Sequence, residues 1–62
     1  MIIGFWIKGD DYIADAGLSR EYKESLNRQC YKFRKVEMDK LRFSHMNISG
    51  IPVLEKKHDA SK

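Results

Sequence analysis

Apolar and polar positions follow three successive patterns along the 62-residue chain. From Met1 to Lys8 the period is two: Ile3, Phe5 and Ile7 share one side, and Ile2, Trp6 and Lys8 the other, which predicts a β-strand apolar on both faces. Gly4 within it predicts a bulge or a close backbone approach. Lys8-Gly9-Asp10-Asp11 supplies turn chemistry, because Gly accepts positive φ and Asp bonds its own backbone. Asp11 to Ala14 then reads as a return strand, so the chain begins with a β-hairpin that leads on through Ala16-Gly17-Leu18. The rival pattern caps a short helix at Asp10 or Asp11, runs it over Tyr12 to Ala16 and ends it at Gly17. That version makes the protein mostly helical, with residues 11–17 as a first helix, and Gly17-Leu18-Ser19 then has the look of a helix-turn-helix turn.

The second pattern, from Ser19 to about Phe43, contains neither Gly nor Pro. At about 100° per residue Tyr22, Leu26, Cys30, Phe33 and Val36 fall on one side, with Leu41 at its margin, which predicts one long amphipathic helix. Ser19 is its natural N-cap, and Glu21 places negative charge near the positive end of the helix dipole. The third pattern is a polar loop over Ser44 to Gly50, then the apolar run Ile51-Pro52-Val53-Leu54. Pro52 lacks a ladder donor, which predicts a short strand at a sheet edge. The expected architecture is therefore α+β: an N-terminal β-hairpin, a central amphipathic helix and a short C-terminal edge strand, in one domain over residues 1–55 with a polar, flexible tail over 56–62.

Length changes this picture by limiting the core. A chain this small removes only about 60% of its unfolded surface from water, so burial against a partner or a second copy is expected to add stability. Cys30 is the only cysteine, which excludes an internal disulfide and fits a small buried hydrophobe in a reducing, cytoplasmic setting. The apolar run at the start is too short to span a bilayer and has no basic residues before it, so neither a targeting signal nor a membrane partner is expected.

Charge adds a candidate surface. The net charge of +3 divides as −2 over residues 1–18, +4 over 19–42 and +1 over 43–62, so the excess sits on the predicted helix. Arg28, Lys32, Lys35 and Arg42 form its polar face, flanked by Arg20 and Arg34 and interleaved with Tyr31 and Met38. Pairs four apart, Arg20 with Glu24, Glu24 with Arg28 and Lys35 with Asp39, offset part of that charge. Tyr31 and Met38, one heptad apart, suit a dimer contact, and Trp6 suits an interface anchor. The candidate partner-binding residues are accordingly Trp6, Arg28, Tyr31, Lys32, Lys35, Met38 and Arg42.

No residue set predicts catalysis, a cofactor or a metal. His45 and His58 have no thiol or carboxylate spaced to share a metal, and Asp10, Asp11 and Asp15 lack the alternation of a calcium loop, so turn and capping duty is expected of them. The expected function is a small, non-enzymatic protein-interaction module, a regulator or inhibitor of a protein partner that is itself acidic, with a homodimer as a further expectation. The alternative is a small basic DNA-binding regulator using Arg28, Lys32, Lys35 and Arg42 on phosphates.

Overall fold

The computed structural model describes residues 1–57. Its elements are strands β1 (Ile2–Lys8) and β2 (Asp11–Ala14), helix α1 (Arg20–Arg28), strand β3 (Lys32–Glu37), a 3-10 turn (Met38–Lys40), and strands β4 (Leu41–Met46) and β5 (Pro52–Lys56). The five strands form one antiparallel sheet in the order β3-β1-β2-β5-β4, so the protein is α+β with an N-terminal hairpin and one helix. The mostly helical alternative is excluded, because residues 11–14 are strand.

The hairpin forms as the alternation predicts. Lys8 faces Asp11 across a two-residue turn in which Gly9 takes φ +59°, and Gly in the first central position is what a type II′ turn selects. Gly4 is the site of a close approach: a Cβ there would lie 2.5 Å from Cζ of Phe33, so the absence of a side chain lets that ring cross β1.

The long helix is the main correction. It ends at Arg28, and residues 32–37 and 41–46 are strands. Its start is as expected: the Ser19 hydroxyl accepts from the Tyr22 N–H at 3.1 Å, a cap that contributes about 1 kcal/mol. Its end is a Schellman motif without glycine. Cys30 takes φ +73°, its N–H donates to the Asn27 carbonyl at 3.1 Å, and the Tyr31 N–H reaches back to the Leu26 carbonyl at 3.0 Å. Tyr31 also packs against the cluster containing Leu26, as the residue after such a stop usually does. Cys30 is therefore an exposed thiol at a helix stop, not a buried hydrophobe on a helix face. What outweighs continued helix is pairing: β3 runs along the open side of β1 with Phe33 opposite Trp6, Arg34 opposite Phe5 and Val36 opposite Ile3.

The C-terminal strand is also placed differently. β5 lies between β2 and β4 rather than at an edge. Pro52 is tolerated because it is the strand's first residue, and β2 pairs with β5 only at Tyr12–Leu54, so no ladder bond there needs its N–H. Strand β4 runs to Met46, shortening the predicted loop, and a bulge between Phe43 and His45 shifts its register. Asn47 organises what remains of that loop: its Oδ1 accepts from the N–H groups of Ser49 and Ile51, and its Nδ2 donates to the Tyr22 hydroxyl at 2.9 Å. Lys56, which the predicted tail included, belongs to β5; residues 58–62 of that predicted tail, with His58, lie outside the described residues.

The sheet curls. Its edge strands β3 and β4 are joined by only residues 38–40. A flat sheet would hold those edges roughly 19 Å apart at about 4.8 Å per strand, whereas the four Cα steps from Glu37 to Leu41 reach at most about 14 Å. On the helix-covered face Ile13, Leu26 and Val53 form the core, with Trp6, Leu18, Tyr22, Tyr31 and Ile51 packed against it. On the other face Phe5 is fully buried, with Tyr12 edge-on to its ring at 6.2 Å.

Candidate nucleic-acid or protein interface

Where α1 stops and β3 begins, an open groove of about 450 Å³ is lined by Trp6, Asn27, Cys30, Tyr31, Lys32, Phe33 and Arg34. The Schellman stop creates it by ending the helix short and turning the chain back onto β1. Trp6 is fixed from beneath: its Nε1 donates to Asp15 Oδ1 at 2.8 Å, and Lys23 stands 3.6 Å from the same carboxylate oxygen. Phe33 closes on Trp6 edge-to-face with centroids 5.5 Å apart, and remains 42% exposed. Lys8 places its ammonium 5.8 Å from the centre of the Tyr31 ring. Partial burial, followed by the fields of Asp11 and Tyr22, raises the Tyr31 phenol above its ordinary pKa, so it stays neutral and available to hydrogen-bond.

Among the described residues no acidic side chain lines this groove, whereas Lys32 and Arg34 both do. Lys35 follows on the same exposed strand, on the face that carries Phe33. Of the seven candidate residues, Trp6, Tyr31 and Lys32 are thus brought together, and Lys35 is adjacent. Arg28 remains in the last turn of α1. Met38 and Arg42 are separated from the rest, because the helix meant to carry them is not formed there. Met38 lies in the 3-10 turn at the far end of β3, 43% exposed, with its N–H donating to the Met1 carbonyl. Arg42 is on β4, paired across strands with Glu55 at 2.7 Å. Tyr31 and Met38 accordingly do not form one patch.

Phe33 and Arg34 were missed as central residues. Phe33 fitted the apolar stripe of a helix and was expected in the core. The signal that marks it is the alternation Tyr31-Lys32-Phe33-Arg34, aromatic and cationic by turns, which has the strand period.

Elsewhere the candidates match simpler roles. Asp10 sits in the hairpin turn, Asp15 holds Trp6, and His45 is exposed with its Nδ1 2.9 Å from the Ser44 hydroxyl. A hollow of about 190 Å³ bounded by Asp10, Glu55, Lys56 and Lys57 mixes both signs of charge. Among the described residues no three His, Cys, Asp or Glu side chains converge as a metal site, and no helix is long and apolar enough to cross a membrane. Comparison with protein-family models, with curated proteins and with solved structures finds no match to this chain, so function has to be argued from the site itself.

Proposed function

We propose that this chain is a small, non-enzymatic protein-interaction module of the cytoplasm that regulates or inhibits a partner by docking it in the groove between the end of α1 and β3. The observation that carries this reading is the groove's lining: a half-exposed aromatic, Phe33, held over Trp6 and bordered by Lys32 and Arg34 with no acid among the lining residues. An aromatic anchor flanked by cations is the composition of an interface hot spot that prefers an acidic partner. Exposed Cys30 at the groove's rim suits a compartment that keeps thiols reduced.

The same cations and aromatics favour a second reading, in which single-stranded nucleic acid stacks on the rings. It is the weaker because the rings are already engaged: Trp6 carries Phe33 against it, Lys8 sits over Tyr31, and Phe33 alone of the three is exposed. The test is capture of proteins from an extract of the source cells, with and without nuclease, by the parent chain and by a Phe33→Ser/Arg34→Glu double variant whose fold is checked by circular dichroism. The expected result is one protein retained after nuclease and lost with the variant. Binding that disappears with nuclease, and that weakens with salt at a slope of about −2 as three phosphate contacts on a single strand would give, overturns the proposal in favour of nucleic acid.

A further inference from the structure

The hydrogen-bond pattern of β1 determines which backbone groups of β3 are unused. The Asp15 N–H donates to the Gly4 carbonyl at 3.0 Å, so the even-numbered residues of β1 direct their backbone groups toward β2 and the odd-numbered ones toward β3. The Met38 N–H donating to the Met1 carbonyl at 2.8 Å agrees with this. By register, Lys32, Arg34 and Val36 then bond inward to Ile7, Phe5 and Ile3, while Phe33, Lys35 and Glu37 turn their N–H and C=O groups away from the sheet. Among the described residues no strand pairs on that side. Among the described residues Phe33's outward carbonyl accepts only from its neighbour's guanidinium, Arg34 Nη1, at 3.0 Å, a local cap of the kind that keeps edge strands from pairing indiscriminately.

Side chains decide what such an edge admits. Lys32 and Arg34 stand on the face away from α1, and Phe33 and Lys35 on the face that α1 covers. A second copy adding through its own β3 about a two-fold at Arg34 or Lys35 would set Arg34 against Arg34 or Lys35 against Lys35, which is unfavourable. We propose that the free edge of β3 takes up an extended, acidic segment of a partner protein as a sixth, antiparallel strand, with acidic side chains beside Lys32 and Arg34 and an apolar side chain between them beside Phe33. Backbone bonds to Phe33 and Lys35 supply the affinity, and the charge alternation sets the register. The inference rests on the docking function proposed above and specifies its ligand.

The probe is a short, end-blocked peptide alternating Glu and Val, titrated against the full chain by the fluorescence of Trp6, the only tryptophan. In the antiparallel pairing a Val directly opposite Phe33 points its own N–H at β3, while the Glu N–H groups point to solvent. N-methylation of the Val amides is therefore expected to weaken binding at least about tenfold, and N-methylation of the Glu amides by less than about threefold. Arg34→Glu is expected to weaken the Glu/Val peptide about tenfold and to improve an alternating Lys/Val peptide. Equal effects of the two methylations would overturn strand addition. So would failure of the Glu/Val peptide to bind while a captured protein still requires Phe33, an outcome that leaves the docking function standing. Tighter, competing binding of an oligothymidylate would remove both.

Discussion

On the helix-covered face Ile13 and Val53 project from the sheet and Leu26 comes down from α1, so each apolar side chain finds others and water is excluded. At the outer edge of β3, Phe33 meets Trp6 on one side and solvent on the other, and Lys32, Arg34 and Lys35 extend into water. The two regions share Trp6 and Tyr31 as a boundary. The difference shows that apolarity alone does not assign a residue to the core: Leu26 and Phe33 lay on one predicted stripe, and only Leu26 has a third element to bury it.

The sharpest way to break this contrast is to charge both positions. Leu26→Asp is expected to abolish cooperative unfolding, since an unpaired carboxylate in a core this small removes most of its stability, whereas Phe33→Asp should still fold. Circular dichroism melts read both, and equal loss would mean that Phe33 belongs to the core after all. Next in size is Asp15→Ala, expected to cost about 1–3 kcal/mol by leaving the Trp6 N–H without its acceptor, measured by urea denaturation and accompanied by a shifted Trp6 emission. Gly4→Ala should cost about 1 kcal/mol, because the Phe33 ring is the free end of an edge side chain and swings off β1; loss of Phe33 to Trp6 cross-peaks in NMR would report the move.

Cys30→Gly should act in the opposite direction, raising stability by about 1 kcal/mol at the left-handed helix stop without changing the groove's other lining residues. The smallest effect concerns the far end of β3, where the Met1 ammonium donates to Glu37 at 2.8 Å. That hydrogen bond, then the charge attraction, raises the ammonium's pKa above 8.0 and lowers the carboxyl's below 4.5. The depressed Glu37 contributes stability present above its unfolded pKa and lost as pH falls through its folded one; the raised ammonium contributes stability present below about pH 8 and lost as pH rises through its folded value. Stability from this exposed pair should therefore fade at both ends of that window, and Glu37→Gln should flatten the profile in pH-dependent melts.

What the sequence by itself determined is what depends on neighbours in the chain. The period of two from Ile2 to Lys8, the Gly9 turn, the Ser19 cap and the Tyr22 and Leu26 pair are each specified within a few residues, so the hairpin, the start of α1 and the α+β class were legible. What only the tertiary structure decided depends on partners far along the chain. Tyr31 to Glu37 satisfies a helical stripe and a strand alternation about equally. Pairing with the open side of β1, and the fit of Phe33 over Gly4, select the strand. Pro52 likewise argued for an edge, and the short reach of the β2–β5 ladder permits it inside the sheet instead. The groove is a product of that same long-range choice, which is why Trp6, Tyr31 and Lys32 stand together while Met38 and Arg42 were carried elsewhere: a helix stop that costs strain at Cys30 is compensated by hydrogen bonds that only a distant strand supplies.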